Sequence, residues 1–62
     1  MEDAVVGGAT TYEAEEAVLA YHGALIYPAR VVQVREGELP YLIHYHKWGT
    51  KWDEWIGEDR IL

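Results

Sequence analysis

The 62-residue chain contains no cysteine, no serine and no phenylalanine. Without cysteine there can be neither disulfides nor thiolate metal sites. Without serine the hydroxyl nucleophiles reduce to Thr10, Thr11 and Thr50, all at positions expected to be flexible, so no catalytic set is visible and an enzyme is not expected. Basic residues are also few. Five Lys and Arg face eleven Asp and Glu, for a net charge of −6. Binding to nucleic-acid phosphates usually calls for a basic patch, so nucleic acid is a poor partner for this chain. A basic partner is a better one, because opposite charge steers encounter, although acidic surface also simply keeps a small domain soluble. No apolar run approaches the ~20 residues of a membrane span, and the acidic N-terminus lacks the basic region of a signal peptide. The expected setting is therefore the cytoplasm or nucleus, without a membrane partner.

What the chain does have is aromatic bulk, in three Trp and five Tyr. A domain this short buries only about 60% of the surface its unfolded chain exposes, and large rings, each burying about 150–250 Å², are its available staple.

Residues 1–14 show no sustained period and read as a flexible arm, in which Val5–Val6 is the one segment able to pair as a short edge strand. The barrel proper is expected over 15–62. Ala17–His22 is an apolar run stopped by Gly23 and reads as a strand. Ile26–Arg35 is rich in β-branched residues, with Pro28 near its start, where an edge tolerates the missing N–H. Glu36-Gly37-Glu38 offers a glycine for a tight turn, and Tyr41–His46 follows as a third strand. Alternation puts Tyr41, Ile43 and Tyr45 on one face, with Leu42, His44 and His46 on the other. Lys47–Lys51 is a loop, Trp52–Ile56 a fourth strand, and 57–62 can form one helical turn. Four short strands with tight turns make a small barrel or a strongly bent sheet.

His44 and His46, at i and i+2 on a strand, face one way but lack a third ligand, so no metal is expected. The stronger feature is the crowding of Tyr41, Tyr45, Trp48, Trp52 and Trp55 within fifteen residues. So small a core cannot hold three Trp rings without overpacking, which costs about 1–3 kcal/mol. Some rings should therefore line an exposed pocket. Ring faces attract cations by about 0.5–2 kcal/mol per contact, so a methylated ammonium is the natural occupant. A purely structural Trp/Tyr cluster that binds nothing is the alternative.

The strings Tyr21-His22-Gly23, Leu25-Ile26-Tyr27-Pro28-Ala29-Arg30, Tyr41-Leu42-Ile43-His44-Tyr45, Trp48-x-x-x-Trp52-Asp53-Glu54-Trp55 and Glu58-Asp59-Arg60-Ile61-Leu62 occur in this order. From about Glu15 to Leu62 the chain resembles the chromo-barrel domain of the MRG (mortality-factor-related) family. The resemblance implies an all-β, SH3-like barrel of bent antiparallel strands with a short C-terminal helix. It implies a nuclear module without cofactor, monomeric, that binds di- or trimethyl-lysine on the histone H3 tail. It also implies partnership with histone acetyltransferase and deacetylase complexes, through a helical domain not found in this chain. Carried over residue by residue, the methyl-lysine cage is Tyr27, Tyr45, Trp48 and Trp52, with His22 at its border. Trp55 is then expected in the core, opposite Trp52 across the fourth strand, and Asp53 and Glu54 as surface acids or loop hydrogen-bonders. Residues 46–47 are His-Lys where relatives usually carry a small residue and Gly, and Pro40 in the hairpin turn resembles the male-specific-lethal branch. The competing reading is a Tudor-knot-type barrel of a MYST acetyltransferase complex, docking protein or nucleic acid.

Overall fold

A computed structural model describes residues 11–62. Its chain order is β1 (Ala17–His22), β2 (Leu25–Val34), β3 (Tyr41–Tyr45), a 3-10 turn (Thr50–Trp52), β4 (Glu54–Ile56) and a second 3-10 turn (Glu58–Arg60). The strands form one antiparallel sheet in the order β1-β2-β3-β4. The expected all-β barrel with a short C-terminal helical element is what forms, the helix being a single 3-10 turn. β4 is shorter than expected, because residues 50–52 are wound into the first 3-10 turn and do not extend the strand.

The sheet curls because β2 serves two partners. Its first half pairs β1, from Ala17 opposite Arg30 to His22 opposite Leu25. Its second half pairs β3, and a bulge between Val31 and Gln33 inserts one extra residue. A bulge bends a strand and increases its twist. It also changes which residues point inward: Ala29 and Val31 before it, Val34 after it. Gly23, at φ 64°, supplies the left-handed position that lets β1 turn directly into β2.

Inward-facing Ala20, Ala29, Val31, Tyr41, Ile43, Tyr45, Ile56 and Ile61 form the core. The alternation expected for β3 holds, with Tyr41, Ile43 and Tyr45 all inside. The chain end closes the barrel onto β1. Ile61 bridges Ala20, whose small side chain permits the approach, and the Leu62 N–H donates to the Leu19 carbonyl at 2.9 Å.

The first ten residues of the expected arm, with the Val5–Val6 pairing, lie outside the described residues. Residues 11–14 are tied to the barrel. The Tyr41 hydroxyl accepts the Thr11 N–H at 2.9 Å, and the Tyr12 ring meets Tyr41 edge-on at 5.4 Å. Ring contacts of this kind contribute about 0.5–1.5 kcal/mol beyond area burial.

Trp55 is not in the core. The register sets Ile43 opposite Glu54 and Tyr41 opposite Ile56, so those two take the inward positions of β4 and Trp55 faces out beside Leu42. There the Arg35 guanidinium lies 3.9 Å from the centre of its ring. The expectation failed because it started β4 two residues early and placed Trp52 on it.

Candidate functional site

The five residues singled out by sequence, His22, Tyr27, Tyr45, Trp48 and Trp52, come from separate parts of the chain and meet at one end of the barrel. His22 ends β1 and Tyr27 lies early in β2. Tyr45 ends β3, Trp48 follows a tight turn, and Trp52 closes the first 3-10 turn. Trp48 is the hub. Its ring centroid lies 4.8 Å from Tyr45, 4.9 Å from Tyr27, 5.5 Å from His22 and 5.8 Å from Trp52. Most of these contacts are edge-to-face, the arrangement that ring quadrupoles favour.

The turn that delivers Trp48 explains one unusual residue. The Trp48 N–H donates to the Tyr45 carbonyl at 3.1 Å, and Lys47, third in that turn, has φ 70°. A third-position residue at positive φ is where glycine is normally preferred, so Lys47 is held in a strained conformation.

The rings differ in exposure. Tyr45 has 0% of its surface exposed and lies beneath Trp48 as a floor, whereas Trp52 is 49% exposed. Among the described residues Trp52 meets no ring but Trp48, and Lys51 Nζ sits 5.7 Å from its centre. Tyr27, Trp48 and His22 are half-buried. The rings pack against one another, with Trp52 as the exposed outer wall.

Below them lies a polar network that the sequence reading missed. Glu54 Oε2 accepts a hydrogen bond from Arg60 Nη2 at 2.6 Å and another from the Tyr45 hydroxyl at 2.8 Å. His22 Nδ1 lies 3.1 Å from the same oxygen. Arg60 Nη2 also donates to the Tyr45 hydroxyl at 3.0 Å, and Arg60 Nε to the Tyr21 carbonyl at 3.0 Å. Burial pushes the Glu54 carboxyl up, but the bonds from Arg60, Tyr45 and His22 outweigh it and leave its pKa below the ordinary value. Burial, then Glu54, pushes the Tyr45 phenol up to about 12. The Glu54 hydrogen bond holds Arg60 above its ordinary value. The signal for Glu54 was present in the sequence: alternation through Trp52–Ile56 puts Glu54 on the same face as apolar Ile56. Asp53, by contrast, is a side-chain hydrogen-bonder as expected, 2.7 Å from His44 Nδ1, while His46 is exposed.

Ring faces above an ion-paired carboxylate suit retention of a soft cation. Among the described residues no group of three His, Asp or Glu could hold a metal. A broad groove of about 800 Å³ lies elsewhere, lined by Val18, Leu19, Pro28, His46 and Leu62 among others. It includes none of the five clustered side chains and lacks their convergent ring faces.

Residues 12–62 match the family described as MSL3 chromodomain-like. The chain is 49% identical to Protein MRG1 of Arabidopsis thaliana over 49 residues, covering 76% of this chain and 15% of that protein. It is 47% identical over 49 residues to the NuA4 complex subunit EAF3 homolog of Drosophila melanogaster, covering 76% of this chain and 12% of the relative. A solution structure of a Drosophila melanogaster protein superposes with a TM-score of 0.71 at 40% identity, covering 89% of this chain and 67% of the other. The chain thus spans only 12–15% of the length of these two curated relatives.

Proposed function

The chain belongs to the chromo-barrel domains of the MRG family, and from that premise we propose that it reads di- or trimethylated lysine on the histone H3 tail. The observation that carries this reading is the convergence of Tyr27, Tyr45, His22 and Trp52 on Trp48, each within 6 Å. A relative named as a chromatin modification-related protein supports a role on chromatin in the nucleus, as a reader.

The physics supports a methylated lysine over a plain one. Each methyl group removes an N–H that would need a partner once dehydrated, while leaving the charge that ring faces attract. Glu54 is already matched by Arg60, so attraction comes from the rings and from the −6 net charge acting on a basic tail. Trp52 and Trp48 are the walls that admit the ligand, and Tyr45 is the floor. The barrel, taken as residues 15–62 with the preceding segment as an arm, would work as one monomeric module. Recruitment of acetyltransferase or deacetylase complexes would depend on other parts of a longer protein.

One cage with few flanking contacts supplies about 4–7 kcal/mol, a Kd on the order of 10 µM to 1 mM. Titration of histone H3 peptides with and without methyl-lysine, followed by Trp fluorescence and indole N–H shifts, tests the reading. Saturable shifts at Trp48 and Trp52 with methylated peptides alone are expected. Absence of any shift at millimolar peptide would move the Tudor-knot-type docking barrel ahead.

A further inference from the structure

Building on that reading, we infer that His22 is the residue that distinguishes methylation states, by accepting a hydrogen bond from the one N–H left on dimethyl-lysine. The inference starts from Glu54. The β3–β4 register turns its side chain inward, and its Oε2 collects Arg60, Tyr45 and His22 Nδ1 around one oxygen. An ionised carboxylate accepts and cannot donate. The ring nitrogen that faces it must therefore carry the hydrogen, and Glu54 imposes the Nδ1–H form on His22.

In a neutral imidazole with hydrogen on Nδ1, Nε2 is an acceptor. Because Nδ1 is directed at Glu54, Nε2 lies on the side of the ring away from that carboxylate. The His22 side chain is 37% exposed, and among the described residues nothing is hydrogen-bonded to Nε2. The same ring stands edge-on, 5.5 Å from Trp48 and 5.5 Å from Tyr45. An ammonium resting on the Trp48 face thus has two kinds of neighbour. Ring faces accept its methyl groups, and a single lone pair accepts one N–H.

That inventory selects among the methylated forms. Dimethyl-lysine offers one N–H for one acceptor. Trimethyl-lysine offers none and covers Nε2 with a methyl group, leaving a dehydrated acceptor unpaired. Monomethyl-lysine leaves its second N–H facing ring carbons. A site built around a hydrogen bond rejects the analogue lacking it because its own polar group is stranded. A net hydrogen bond corresponds to about three- to tenfold in affinity. The preference is therefore di- over tri- and monomethyl by that factor. Glu54 is a positioning residue here, acting through the imidazole and not on the ligand.

The test uses the whole chain and one short basic peptide with its single lysine unmodified, mono-, di- or trimethylated, titrated at a pH above the imidazole range. Long-range proton–nitrogen NMR spectra of the imidazoles, at the same pH, report the His22 tautomer without ligand. The expected results are the Nδ1–H form and a three- to tenfold preference for dimethyl over trimethyl peptide. His22→Phe, which keeps a flat ring without an acceptor, is expected to bring that ratio to about one. Equal or tighter trimethyl binding by the unmutated chain would overturn the inference while leaving the reader function intact. So would an Nε2–H or doubly protonated ring. Failure of every methylated peptide to bind would instead remove the reader function, and this inference with it.

Discussion

Replacing Glu54 by Gln isolates the polar network from the rings above it. The substitution keeps shape and one acceptor oxygen but removes the charge that meets Arg60 at 2.6 Å and Tyr45 at 2.8 Å. A hydrogen bond to a charged group contributes about 1.5–3 kcal/mol net. Glu54 and Arg60 are 31% and 33% exposed, so solvent screening reduces that figure. Arg60 retains some hydration when left alone. A loss of about 2 kcal/mol at neutral pH is expected. A chain of this length holds about 3–9 kcal/mol in total, so the variant stays folded but weakened. Urea unfolding followed by Trp fluorescence should show a midpoint lowered by about 1–2 M.

The pH dependence makes this expectation specific. The folded-state pKa of Glu54 lies below its ordinary value, so the contribution is complete above about pH 4.3. It is lost as pH falls through the lower, folded value. Protonated Glu54 then resembles Gln, and the stability curves of the two proteins should converge in strong acid. Curves that run parallel from neutral to strongly acid pH, or a neutral-pH difference under about 0.5 kcal/mol, would refute a stabilising role for the carboxylate.

Three other outcomes are expected. Tyr45 is pushed up to about 12, so the stability associated with its neutral phenol is complete below about pH 10. It is lost as pH rises from there; phenolate absorbance should show one tyrosine titrating late, together with unfolding. Trp52→Ala should weaken methyl-peptide binding by about 2- to 30-fold, measured by calorimetry. Its stability cost should be about 1–2 kcal/mol, against about 3–5 kcal/mol for Trp48→Ala, because Trp52 is half exposed and, among the described residues, touches only one other ring. Lys47→Gly should raise stability by about 0.5–1 kcal/mol, read by thermal unfolding, since Lys47 holds φ 70°. An unchanged or lowered midpoint would show that the turn is not strained.

Much of the fold was legible because period-2 alternation reports directly which side of a strand is buried. Tyr41, Ile43 and Tyr45 were assigned inward on that basis and are inward. The fourth strand was read less well. Trp52-Asp53-Glu54-Trp55-Ile56 alternates from either end, and only the Tyr45–Trp48 turn and the following 3-10 turn decide that pairing begins at Glu54. The register, with Ile43 opposite Glu54 and Tyr41 opposite Ile56, sends Trp55 outward under Arg35 and Glu54 inward beneath the rings.

By itself the sequence determined the membership of the aromatic cluster, since His22, Tyr27, Tyr45, Trp48 and Trp52 were named from residue type, spacing and resemblance. It also determined the acidic character that favours a basic partner. Only the tertiary structure decided that Trp48 is the hub, that Tyr45 is a covered floor, and that Glu54 and Arg60 stand behind it. The reason is register. Contacts of β1 with β4 and the last turn span 32 and 39 residues, and a shift of one position in any pairing moves a side chain to the other face of the sheet. Local alternation groups side chains by face, but which strands pair and in what register is decided between distant segments.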